Sequence, residues 1–236
     1  QAYDYCEAVR EKDMSRVDVI KRNPEKVGLR MRSCARNLAT QASLETIAAD
    51  MQANEPKKMD TDTVSSYISA LAKLYVVEES KAWNPNLRSK TAIRTSNTRY
   101  YTDPSIGTAS LSIGPKDLEN DLNTFGYFFE TLAIRDLRTY AEALMGEVAH
   151  YRDADKLECD AVVHLRDGRY GLIEIKLGGE ALIKEGVKSL TALKNKLDTT
   201  KMNKPSFLMV LTGVGSIAYR RPEDGIYVVP TGCLKP

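Results

Sequence analysis

The chain has 236 residues, 42% of them hydrophobic and 28% charged, with a net charge of +2. These values describe an ordinary globular protein of one large domain or two modest ones, and bulk charge announces no nucleic-acid partner. No apolar run approaches the length of a membrane span and no signal peptide opens the chain, so a cytoplasmic protein without a membrane partner is expected.

The charge is uneven: residues 1–100 hold 17 Lys and Arg against 13 Asp and Glu, while residues 101–236 hold 17 against 19. The basic half favours a polyanion weakly. Cys6, Cys34, Cys159 and Cys233 are far apart and form no CxxC pair, which points to reduced thiols and away from a zinc site. With only His150 and His164 present, a histidine-rich metal site is not expected. The sequence starts at Gln1 in what reads as the middle of a helical pattern, as an excised piece of a longer protein would.

Residues 1–115 read as a mainly helical domain. "GLRMRSCARNLAT" and "SLETIAADM" are helical, with Ser43 placed to cap the second. After the polar link "QANEPKKMD", Val64, Ile68, Leu71 and Tyr75 follow helical spacing. The strand-like runs "VVEESKAW" and "KTAIRTS" then flank "NPNLR". Helix, turn, helix and hairpin is the order of a winged helix-turn-helix. On that reading Thr61, Thr63, Ser65 and Ser66 lie near the exposed start of the second helix, and Arg88, Lys90 and Arg94 decorate the wing as DNA contacts. The alternative is a helical packing module whose polar face meets water.

Residues 116–236 change pattern. A long amphipathic helix, or two broken near Gly126, carries the stripe Tyr127, Ile134, Leu137, Ala141 and Leu144, with Glu130 standing in the stripe. The strand candidates "EVAHYRD", "LECDAVVHL" and "YGLIEIKL" follow, joined by the short turns "ADK" and "RDGR". A helix with Ile183, Val187, Leu190 and Leu197 on its apolar side comes next. "PSFLMVLTGV" is an apolar strand, and "AYRRPEDGIYVVP" a hairpin turning at "EDG". The α-β-β-β-α-β order predicts an α/β (α+β) fold with a mixed sheet flanked by helices.

Strands alternate faces, so Glu174 and Lys176 of "IEIK" share one face, roughly 7 Å apart, opposite Ile173 and Ile175. Glu158 and Asp160 likewise share a face of the preceding strand. Buried charge needs a cation, a metal or water. A salt-bridge cluster around Lys176 is one answer; a hard divalent cation held by oxygen ligands is another.

Glu130 on the first helix, Asp160 on a strand and Glu174-x-Lys176 on the next resemble the signature of the PD-(D/E)XK nuclease superfamily. Residues 63–107, with "GYFFETLAIRDL", "LECDAVV" and "IEIKLGG", are similar to the C-terminal domain of unknown function that follows the ATPase module of many prokaryotic AAA+-type ATP-binding proteins. Cys159 stands where the superfamily pattern has Pro.

The resemblance implies a winged helix followed by a nuclease-like domain, with ATP entering only through an N-terminal ATPase domain outside this sequence. No GxxxxGK[ST] is present, in keeping with that expectation. It also implies Mg²⁺ or Mn²⁺ held by Asp160 and Glu174, with Glu130 completing the shell and Lys176 placing the attacking water or neutralising the transition state. Two functions stay open: a metal-dependent DNA phosphodiesterase, or an inactive DNA- or protein-binding regulatory module attached to the ATPase.

Overall fold

Asn23 starts the first well-capped helix of the protein. Its side chain accepts from the backbone N–H groups of Glu25 and Lys26, at 2.8 and 3.2 Å, with Pro24 at the first helical position. A computed structural model describes residues 1–17, 20, 22–52, 60–85 and 96–235. One compact unit comprises Gln1–Glu79 with Ser96–Thr131; the other comprises Leu132–Pro236 with the short segment beginning at Ser80.

The first unit contains α1 (Ala2–Glu11), α2 (Pro24–Arg36), α3 (Leu44–Gln52) and α4 (Thr61–Lys73), then a two-stranded sheet of β1 (Val77–Ser80) and β2 (Thr98–Tyr101). An isolated antiparallel bridge joins Thr40, between α2 and α3, to Arg99 of β2. This unit is thus mainly helical, with a small strand pair packed into it. The Ser43 hydroxyl caps α3 by accepting from the Thr46 N–H at 3.2 Å. The helices α5 (Pro104–Leu111) and α6 (Pro115–Asn120) follow. Val27, Met31, Val64, Leu71 and Tyr101 are central to the core of this unit.

Two sequence expectations shift here. Tyr75 leaves the stripe of α4: its φ is 56° and it is 76% exposed, because the helix has ended before it. The second strand is Thr98–Tyr101, whereas residues 90–95 of the expected run "KTAIRTS" lie outside the described residues. Tyr101 is buried with its hydroxyl donating to the Met31 carbonyl at 2.6 Å. A tertiary acceptor thus makes an otherwise polar run a core strand.

The long helix α7 (Leu122–Ala143) runs unbroken through Gly126. Its buried residues include Phe128, Phe129, Ala133, Ile134, Leu137 and Ala141, while Tyr127 and Leu144 at the ends of the expected stripe are exposed. The stripe therefore enters through Phe128, one position beyond Tyr127.

In the second unit, β3 (Gly146–Arg152), β4 (Glu158–Leu165), β5 (Tyr170–Lys176), β6 (Phe207–Thr212), β7 (Tyr219–Arg220) and β8 (Tyr227–Pro230) form one sheet in the order β3-β4-β5-β6-β8-β7. Both β3/β4 and β4/β5 pair antiparallel, β5/β6 and β6/β8 parallel, and β7/β8 antiparallel. The mixed sheet is thus the expected one. Beside it, the Trp83 N–H donates to the His150 carbonyl at 2.6 Å, and its ring packs against Tyr151 and Tyr170. Among the described residues no helix is long and apolar enough to cross a membrane.

The helix α8 (Glu180–Lys196) crosses from β5 to β6 and covers the face of the sheet bearing Val162, Leu172 and Val210. It comes close because Gly186 has no side chain. A Cβ there would meet Val210 Cγ2 at 3.2 Å and the Cβ of Glu174 at 3.3 Å. Gly186→Val is expected to lower stability by about 1–3 kcal/mol through overpacking. Gly186→Ala should fall much nearer to neutral, since about 1 kcal/mol of helix propensity opposes the crowding. Thermal melting of the two variants distinguishes them.

Candidate functional site

At one end of the β4/β5 ladder Ala161 pairs with Ile173. One step further places Asp160 opposite Glu174, on the face that also carries Val162 and Leu172. There the Asp160 carboxylate takes over the role of a strand partner, its Oδ2 accepting from the Ile175 N–H at 2.7 Å. A half-buried carboxylate therefore lies beside Glu174, which is only 3% exposed.

Glu174 has two partners. Oε2 lies 3.1 Å from Lys176 Nζ, and Oε1 lies 3.0 Å from Ser189 Oγ on α8. Lys176 also faces Glu185 of α8, at 3.5 Å. The Lys176 side chain is 19% exposed and that of Glu185 66%, so the cluster opens to solvent at this end. The extended pleat puts Glu174 and Lys176 on one face, and α8 adds the other two groups.

The electrostatics follow from one ammonium serving two crowded carboxylates. Burial, then the charge of Asp160, push the Glu174 carboxyl up to about 8 against the pull of Lys176 and Ser189. Burial also raises Asp160, opposed by Lys176 and the Ile175 N–H. Lys176 is held in its charged form: Asp160 and Glu174 outweigh its own burial.

The hydroxyl of Ser189 ties Glu174 to the start of β4. Ser189 Oγ lies 2.9 Å from the Glu158 carbonyl and 3.0 Å from Glu174 Oε1. A serine has one proton, and a carbonyl only accepts. The hydroxyl therefore shares its one proton between the Glu158 carbonyl and the Glu174 carboxylate.

Sequence reading named Glu130, Asp160, Glu174 and Lys176. The last three converge within the second unit. Glu130 belongs to the part of α7 counted with the first unit, where its Oε1 accepts from the Tyr100 hydroxyl at 2.7 Å. Glu158, expected beside Asp160, pairs with Arg152 at 3.0 Å. Of the proposed DNA contacts, Thr63 is exposed and Ser65 half-buried, while Ser66 turns toward Arg22, whose Nη2 donates to it at 3.2 Å. Arg88, Lys90 and Arg94 lie outside the described residues. Sequence reading missed Ser189 and Glu185. Their signal was the neighbouring Gly186, a small residue that lets a helix face approach a sheet closely.

Among the described residues no group of three or more His, Cys, Asp or Glu is arranged to hold a metal ion. Asp160 and Glu174 nevertheless fit a hard divalent cation by their donor chemistry. Oxygen donors suit such an ion, and their mutual repulsion is what it would relieve. Buried Cys159 is no competing ligand: its thiol lies against the Ala161 and Ile173 carbonyls, and burial holds its pKa well above the usual thiol range.

Residues 1–117 match a domain of unknown function, DUF8612, and residues 125–234 match a second, DUF4143. No curated protein matches the chain. Neither match assigns an activity, so functional inference rests on the residues.

The raised carboxyl of Glu174 has a consequence for stability. A carboxyl whose folded pKa lies above its unfolded value binds more protons in the folded state. Its stabilisation is complete below pH 4.5 and is lost as pH rises to about 8. Without divalent metal, wild type should lose up to about 1.4 kcal/mol per pH unit through this group inside that window. Glu174→Gln should lack that part of the slope. Denaturant melts at pH 5, 6.5 and 8 test this; a constant difference between the proteins would mean that Glu174 is already ionised at pH 5.

Proposed function

We propose that the second unit is a nuclease-like domain with a metal-dependent phosphodiesterase site acting on DNA. We further propose that it works as the C-terminal region of a cytoplasmic AAA+-type ATPase. The convergence of Asp160, Glu174 and Lys176 at the solvent-facing end of β4, β5 and α8 carries the reading. Glu130 is already engaged by Tyr100, so the reading does not depend on it.

Asp160 and Glu174 are the residues to hold Mg²⁺ or Mn²⁺. When bound there, the ion would supply an activated water and offset charge on the phosphate. Lys176 reaches the solvent side of the pair, where its ammonium can orient a water or contact a phosphate oxygen. Ser189 fixes the rotamer of Glu174 from the helix side. ATP enters the protein only through the ATPase domain.

One observation favours a second reading. The chain from Lys176 through Glu174 and Ser189 to the Glu158 carbonyl satisfies each member without a ligand. A site so closed suits a non-catalytic module that binds DNA or protein and relays that contact to the ATPase.

A nicking assay on plasmid and single-stranded DNA, with Mg²⁺ or Mn²⁺, separates the two. Under the nuclease reading, Lys176→Ala should lower cleavage by about 10²–10³-fold while keeping the metal-induced rise in melting temperature. Asp160→Asn should lose both. A metal-induced rise without cleavage by wild type, even when joined to its ATPase domain, would select the regulatory module.

A further inference from the structure

The helix α2 presents two arginines to solvent at Arg32 and Arg36, one turn apart on one face. The same face carries Gly28 one turn earlier, and Arg10 of α1 fills the gap this glycine leaves. A Cβ at Gly28 would come within 2.8 Å of Arg10 Nε, so the Arg10 side chain lies across the helix there. Its Nε–H reaches back to the Pro24 carbonyl at 3.5 Å. Positions 28, 32 and 36, spaced by about 6 Å along the helix axis, thus carry three arginine side chains on one face.

All three line one cleft of about 660 Å³ within the first unit. Two carboxylates line it as well. Asp50 is engaged: Arg36 lies 3.5 Å from it, Asn37 donates to it at 2.9 Å and Ser33 at 3.2 Å. Glu25 sits exposed in the first turn of α2, where the helix dipole favours a negative charge. The Arg32 side chain projects into solvent between these ends.

We propose that this row, Arg10, Arg32 and Arg36, binds the backbone phosphates of a nucleic acid strand. Guanidiniums pair with phosphate oxygens through parallel N–H donors, and a strand presents phosphates at a regular spacing of the same order as a helical turn. Among the described residues that line the cleft none is aromatic, so the contact reads backbone and not base. It lies along α2 and does not involve the start of α4. It shares with the cleavage reading only the class of ligand.

The test is fluorescence anisotropy of a labelled single-stranded oligonucleotide with the full 236-residue chain across a salt series. Nicking is read separately, so that failure of one reading leaves the other standing. Removing one phosphate contact should reduce the log-log salt slope by about 0.7, and removing three by about 2. Arg32→Ala, an exposed change that leaves the core intact, should give the first result, and the triple alanine variant of Arg10, Arg32 and Arg36 the second. Arg16→Ala, at an exposed arginine outside the row, should leave the slope unchanged. The proposal is overturned if wild type does not bind, if Arg32→Ala keeps the wild-type slope, or if Arg16→Ala loses as much as Arg32→Ala. Competition by polyglutamate as effective as by unlabelled DNA would also overturn it, assigning the row to an acidic peptide.

Discussion

The second unit is organised around a shortage of positive charge beneath α8. Asp160 and Glu174 sit side by side on neighbouring strands, and the Lys176 ammonium, paired with Glu174, is shared with Glu185. Burying a second carboxylate in this way is tolerable only if it keeps a proton or acquires another cation. The Ser189 hydroxyl, shared with the Glu158 carbonyl, offsets only part of this cost by donating to Glu174.

That balance depends on how closely α8 lies on the sheet. Gly186 sets the distance, and Ser189 follows it by three residues on the same helix face. Gly171 makes a second close approach on β5: a Cβ there would fall within 2.2 Å of the Phe207 ring on the parallel neighbour β6. Two glycines thus let helix and strand ring close over the central strand, whose end carries Glu174 and Lys176.

The first unit uses arginine in two opposite ways along α2. Arg30 is buried, with its guanidinium 3.7 Å from the centroid of the Tyr67 ring and Nη1 donating to the Lys26 carbonyl at 2.6 Å. Arg22 stands on the same ring at 5.3 Å and donates to the Met14 carbonyl. These cations are structural, since a flat aromatic face and carbonyl oxygens replace their water. Arg32 and Arg36 lie two and six residues beyond Arg30, on another face, and remain in solvent. Net charge in this half of the chain therefore overstates what a polyanion would meet.

The sequence by itself determined the order of the elements from the long helix onward and the partition of the pattern into a helical part and a mixed sheet, but not the helices α5 and α6 between them. Helical and extended periodicities are local, and caps such as Ser43 act within one turn. It also determined that Glu174 and Lys176 share a face, because alternation follows from the pleat alone. It did not distinguish Tyr127 from Phe128 as the buried aromatic, since one residue along a helix is a rotation of 100° and packing partners choose the angle. Nor did it show Tyr101 as a strand residue, whose hydroxyl finds its acceptor seventy positions earlier in the chain. Only the tertiary structure turned Ser66 toward Arg22, gave Glu130 to Tyr100 and brought Ser189 and Glu185 to the carboxylate pair. Each of these is a meeting of side chains on separate elements. Local pattern fixes which way a residue points from its own backbone, and the packing of elements decides what it meets there.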